Sequence, residues 1–148
     1  MLSVVCGLLF SAMVCEAALV RAQPSPELAQ GLIWLGSEQS GSINAFSYYT
    51  NSAFIQYFSN ASVLIDDRFF DQARYNDSER IFGSLSLKET KALLEKYDIT
   101  HIIITKDMTE GLVWDGPGEG LMRVLGDNET FMPVYSSGDV YIWKTRDT

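Results

Sequence analysis

One run constrains this chain most. Residues 99–105, Ile-Thr-His-Ile-Ile-Ile-Thr, are dominated by β-branched side chains, which crowd a helix and suit a pleated surface. The run predicts a strand. Ahead of it, Ser86 with Glu89 forms a capping box, and Leu87, Leu93, Leu94 and Tyr97 supply the buried face of a helix. The same alternation extends upstream. Ser25, Pro26 and Glu27 start a helix whose apolar stripe is Leu28, Leu32 and Leu35, widened by Ile33 and Trp34. Residues 43–49 (INAFSYY) read as a strand. Residues 51–60 (NSAFIQYFSN) read as a short helix capped by Thr50 or Asn51, and 62–67 (SVLIDD) as a second, buried strand. Residues 68–84 are less regular, a helix and a loop.

Downstream, GPGEG (116–120) is a flexible loop, and 121–128 a short helix closed by Gly126. Phe131–Tyr135 and Val140–Lys144 form a hairpin turning at Ser137-Gly138, with Pro133 at an edge or bulge. Helices alternating with strands predict right-handed α/β crossovers. The expected fold is a small α/β domain of two or three layers. Its sheet is mixed and mostly parallel, it ends in the C-terminal β-hairpin, and an N-terminal hydrophobic helix precedes it. The domain boundaries fall at 1–22 and 23–148.

Leu2 to Val20 is almost continuously apolar, with Glu16 its one charge. As a helix it would be roughly 29 Å long, near the thickness of a bilayer's hydrocarbon core. A secretory signal peptide, cleaved near Ala17 to Ala22, is one reading. No Lys or Arg precedes the apolar stretch, which favours a retained transmembrane anchor or signal-anchor in contact with membrane lipid. A buried core helix is a third, but the stretch lacks a polar face. Either membrane reading places the body on the extracytoplasmic side. Three glycosylation sequons agree, at Asn60, Asn76 and Asn128, and these are three of five asparagines in the chain. Arg21, just after the apolar stretch, votes the other way.

The net charge of -8, with no basic run longer than two, argues against nucleic acid and against electrostatic docking on anionic lipid. Both cysteines, Cys6 and Cys15, lie in the leader, so the body has no thiolate zinc site. His101 is the only histidine and sits in an apolar run, where a packed imidazole is expected. Asp66, Asp67 and Asp71 follow the second strand. Three carboxylates could take a divalent cation through oxygen, although Asp66 or Asp67 could as well cap the next turn with the others solvated. Trp114 stands in a glycine-rich loop and, with Tyr48 and Tyr49, could stack against a sugar ring. Trp34 and Trp143 fall at core positions. GPGEG follows no strand, so it is not a phosphate-binding loop.

Gly31 to Leu35, Tyr57 to Ala61, Ser86 to Glu89 and Tyr97 to Thr105 stand in an order similar to a known pattern. That order, over roughly residues 25 to 106, resembles the extracytoplasmic C-terminal region of archaeal GT-C membrane glycosyltransferases, of which the oligosaccharyltransferase catalytic subunit is the best-known relative. In that family the matching stretch Trp-Trp-Asp-Tyr-Gly recognises the acceptor sequon. Here it is Tyr48, Tyr49, Thr50, Asn51 and Ser52. A neutral hydroxyl at Thr50 cannot replace a carboxylate, so the resemblance implies a scaffold rather than a sequon reader. The family's catalytic carboxylates lie between earlier transmembrane helices that this chain lacks. The resemblance therefore implies a non-catalytic domain accessory to lipid-linked glycosyl transfer, partnered by a membrane glycosyltransferase or a glycan. A carbohydrate-binding module using Trp114 and a metal-assisted enzyme using the aspartates are the alternatives.

Overall fold

The computed structural model describes residues 23–38, 41–66, 71–116 and 118–146. The expected N-terminal helix lies outside the described residues. Among those residues no helix is long and apolar enough to cross a membrane.

The first helix, α1, spans Pro26–Glu38. Its start is local chemistry: the Ser25 hydroxyl accepts the Leu28 N–H at 3.1 Å, and Pro26 occupies the first helical position, where no N–H is needed. Strand β1 is Asn44–Phe46 and helix α2 is Ser52–Ser59, entered through a 3-10 turn at Tyr49–Asn51. Strand β2 is only Ser62–Val63. Two helices follow, α3 at Gln72–Gly83 and α4 at Leu87–Lys96. Strand β3 is His101–Thr105. A wide turn over Met108–Leu112 leads to a single-turn helix α5, Leu121–Val124. Strands β4 (Phe131–Ser137) and β5 (Val140–Thr145) close the chain.

The five strands lie in the order β2-β1-β3-β5-β4. Strand β1 pairs in parallel with β2 and β3, while β5 pairs antiparallel with β3 and β4. The expectation of a mostly parallel sheet is therefore corrected: most of the ladder is antiparallel. The parallel strands are very short, and the central strand finds its longest partner, from His101↔Lys144 to Thr105↔Val140, in the hairpin. Pro133 pairs with Trp143 beside a register shift between Pro133 and Tyr135, on the edge strand, where a proline's missing N–H is tolerated. The turn falls at Gly138 and Asp139, one residue later than the sequence suggests, and Gly138 supplies the positive φ of 55°.

Strand β3 is sandwiched. Ile102 and Ile104 face one core with Phe46, Ile81, Phe82 and Leu94, under α3, α4 and α5. Ile103 faces the other with Leu32, Leu35 and Ile55, under α1 and α2. All three isoleucines are fully buried, which makes this a three-layer α/β/α arrangement. The helices α1 and α2 approach closely at Gly36, where a Cβ would stand 3.0 Å from the Ser59 Cα. Two predicted core residues are not in the core. Ile33 is 54% exposed on the outer side of α1, and Leu87, at the first position of α4, points out before that helix reaches the sheet.

Candidate functional site

Strand β1 ends at Phe46, so Tyr48 and Tyr49 are not strand residues as expected. They form the connection into α2. Tyr48 is extended (φ -65°, ψ 141°) and its carbonyl accepts the Asn51 N–H at 3.0 Å, closing the 3-10 turn. The two rings lie 4.5 Å apart at 44°, and the Tyr48 ring also approaches Phe82 at 6.2 Å. Tyr48 is thus half-buried under α3, while Tyr49 is 38% exposed. Burial, then the neighbouring Tyr49 hydroxyl, push the Tyr48 phenol up to about 12, so it stays neutral at physiological pH.

A buried polar set fixes this connection to the central strand. Asn51 Nδ2 donates to Ser47 Oγ at 3.1 Å, and Ser47 Oγ lies 3.8 Å from Met108 Sδ, which also accepts the Thr105 N–H at 3.5 Å. Ser47, Asn51 and Met108 are all buried. The sequence signal for this set was the i, i+4 spacing of Ser47 and Asn51 on either side of the tyrosines, which reasoning from aromatic content alone passes over.

β1 and β3 are neighbouring parallel strands whose onward connections leave over opposite faces of the sheet. Ligands of open α/β sheets gather at such a divergence, beyond the carboxyl ends of the strands. Here a crevice of about 510 Å³ opens there, bordered by Thr50, Phe54, Thr105, Lys106, Asp107 and Asp139. Lys106 Nζ stands 3.7 Å from Asp139 Oδ1 and 3.9 Å from Glu110 Oε1, pairs that are exposed and weak. Thr50 is uncharged and brings no charge to this wall.

Trp114 is corrected. The loop that carries it folds inward, and the indole is 5% exposed. Its Nε1 donates to the Phe82 carbonyl at 3.0 Å and its ring meets Phe82 edge-on at 5.6 Å, so no indole face is open to a sugar. Burial satisfies the N–H and adds a large apolar area to the core, which outweighs the loop's polar composition.

Asp66 and Asp71 are each engaged by neighbouring donors. Asp71 caps α3, its Oδ1 accepting the N–H groups of Ala73 (2.9 Å) and Arg74 (3.2 Å). Its second oxygen lies 3.8 Å from the Arg74 guanidinium. Asp66 Oδ2 accepts Gln56 Nε2 at 2.9 Å. Both border a cavity of about 590 Å³ beside β2. Asp67 lies outside the described residues. Among those residues no group of three or more metal-ligating side chains converges.

A carboxylate that the sequence did not single out gathers three donors. Asp77, 7% exposed, receives Lys96 Nζ (2.6 Å), the Tyr97 hydroxyl (2.7 Å) and Arg80 Nη1 (3.1 Å). These bonds, Lys96 first, hold it below the usual carboxylate range. It joins α3 to α4 and faces no cavity of the site.

No protein-family model matches the sequence, and no curated protein matches it. Solved structures do. The chain is similar to the C-terminal globular domain of an oligosaccharyltransferase, AfAglB-S2, from Archaeoglobus fulgidus, at a TM-score of 0.69 and 13% identity, covering 84% of this chain and 99% of that one. A second C-terminal globular domain of an oligosaccharyltransferase from the same organism matches at a TM-score of 0.54 and 17% identity, covering 85% and 99%. The apo form of an Archaeoglobus fulgidus oligosaccharyltransferase matches at 0.52 and 12% identity, covering 83% of this chain but 18% of that one. The chain therefore has the fold of the C-terminal globular domain of archaeal oligosaccharyltransferases, and it spans under a fifth of the longer enzyme.

Proposed function

We propose that this chain is a non-catalytic extracytoplasmic domain, accessory to lipid-linked glycosyl transfer and partnered by a membrane glycosyltransferase. The observation that carries the reading is the fold likeness over 84% of the chain and 99% of a solved oligosaccharyltransferase domain. The chemistry of the β1–α2 connection supports the non-catalytic part. Thr50 offers a neutral hydroxyl where sequon recognition would need a carboxylate. The apolar leader, residues 1–22, would tether the body to lipid.

Protease added to intact cells tests the placement. Digestion of the body from outside is expected; protection until the membrane is opened rejects the reading. Cross-linking in native membranes should capture a polytopic glycosyltransferase. Sugar transfer to an acceptor peptide by the purified chain alone would rule out the non-catalytic role.

The exposed Tyr49 face favours one second reading, direct contact with a glycan. On a glycan array, Tyr49→Ala should then lower binding about tenfold. A parent protein that retains no glycan removes this reading.

A further inference from the structure

The three sequons are equivalent in sequence and different in the fold. Acceptance of a glycan needs the asparagine amide and the hydroxyl two residues on to be reachable together. At Asn76 they are not. The sequon lies inside α3, where positions i and i+2 are turned roughly 200° apart. Ser78 is 1% exposed and its hydroxyl donates to the Tyr75 carbonyl at 2.8 Å, while Asn76 Oδ1 holds Gln72 Nε2 at 2.8 Å. At Asn128 the asparagine is exposed but Thr130 is 8% exposed, lodged in a turn closed by the Phe131 N–H to the Asp127 carbonyl at 2.9 Å.

Asn60 is the exception. It ends α2 in the left-handed region (φ 54°, ψ 28°), which turns its side chain out of the helix. Ala61, 5% exposed, anchors the segment in the core, and the extended backbone that follows brings Ser62 back to the surface. The Ser62 N–H is tied to the Ile43 carbonyl at 2.9 Å, so this geometry is held by the sheet. Asn60 and Ser62 are both exposed, and both border the 590 Å³ cavity at the open edge of the sheet. Neither side chain makes a hydrogen bond to another described residue.

We propose that Asn60 is a glycan acceptor of the folded domain, the sequon that remains usable once the chain has folded. The donor class is a lipid-pyrophosphate-linked oligosaccharide. Asn60 Nδ2 forms a bond to the anomeric carbon as the anomeric carbon–oxygen bond breaks. The lipid pyrophosphate leaves with the bonding pair, and the amide nitrogen gives one proton to a base on the transferase. No oxidation or reduction is involved. In the cell this rests on the extracytoplasmic placement proposed above, since such donors are consumed on that side.

The test supplies the transferase. The purified full-length chain in detergent is incubated with a solubilised oligosaccharyltransferase and lipid-pyrophosphate-linked oligosaccharide. A short Asn-X-Ser peptide verifies that the enzyme is active. Intact mass and peptide mapping should find one glycan increment, on Asn60. It should vanish in Asn60→Gln and in Ser62→Ala and persist in Asn76→Gln and Asn128→Gln. Ser62→Ala leaves the left-handed Asn60 backbone in place, and a matching melting curve separates lost chemistry from lost fold. A bare Asn60 beside a glycosylated control peptide overturns the proposal, as does a glycan on Asn76 or Asn128 of the folded chain. Because the enzyme is added in vitro, failure here leaves the proposed location standing, and failed protease access leaves the acceptor geometry standing.

Discussion

Within β3, His101 is 1% exposed and its Nε2 meets no partner, while Nδ1 lies 2.9 Å from the Thr100 hydroxyl. Burial, then the nearby Lys144 charge, push this imidazole down to about 4. An unfolded histidine titrates near 6.5, so between those values the unfolded chain binds the proton the folded one refuses. The neutral ring is fully compatible with the fold above about pH 6.5. Stability is lost as pH falls from there towards 4, by on the order of 3 kcal/mol from this group. His101→Val should flatten that loss and leave stability at pH 7.5 unchanged or about 1 kcal/mol higher, because an unpaired buried polar atom is removed. Urea unfolding at pH 4.5 and 7.5 checks this; an equal acid-side loss in variant and parent refutes it. The packed state of His101 was legible from its apolar neighbours. The burial of Trp114 was not, because a Gly-rich loop reads as solvated and nothing local reveals that Phe82 offers its indole a carbonyl.

At the level of elements, Asp77 ties α3 to α4 through Lys96, Tyr97 and Arg80. Asp77→Ala strands the Tyr97 hydroxyl and should cost about 2–3 kcal/mol, less than three buried charged bonds would suggest because Lys96 and Arg80 are half-solvated. Urea titrations measure it; a loss below about 0.5 kcal/mol would show that the cluster is ornamental to stability. The pH sign follows from the lowered carboxyl: its contribution is present above the ordinary carboxylate range and fades as pH drops below it. Removing the caps, in Asp71→Ala or Ser86→Ala, should cost about 1 kcal/mol each. The start of α4 at Ser86 and that of α1 at Ser25 could be read from sequence because capping is local: the Ser86 hydroxyl accepts the Glu89 N–H at 3.3 Å. The cap of α3 was not legible in the same way: the sequence offers Asp66 or Asp67 for the next turn, and the structure uses Asp71. Strand direction was illegible for the opposite reason. Whether β3 pairs with β1 or with β5 over its full length depends on residues about forty positions downstream, and no local pattern carries that.

For the molecule as a whole, β3 is the shared wall of both cores, so the two halves should melt together. Ile102→Ala and Ile103→Ala, on opposite faces, should each cost about 2–5 kcal/mol. Both should retain a single unfolding transition by circular dichroism and tryptophan fluorescence. Trp34 reports on one core and Trp114 on the other, so separated transitions would show the layers to be independent. The layered α/β architecture was readable because alternating periodicities need only neighbours in sequence. The site was readable only as a segment, since the crevice joins Thr50 to Lys106 and Asp139 through folding alone. One further property follows from how the sheet is finished. Its outermost strand on one flank is a two-residue stub, and on the other it is kinked at Pro133. Such margins give a second chain no rail to zip onto, so copies crowded side by side at high surface density stay separate, and any visitor must be gripped by side chains rather than by a borrowed backbone.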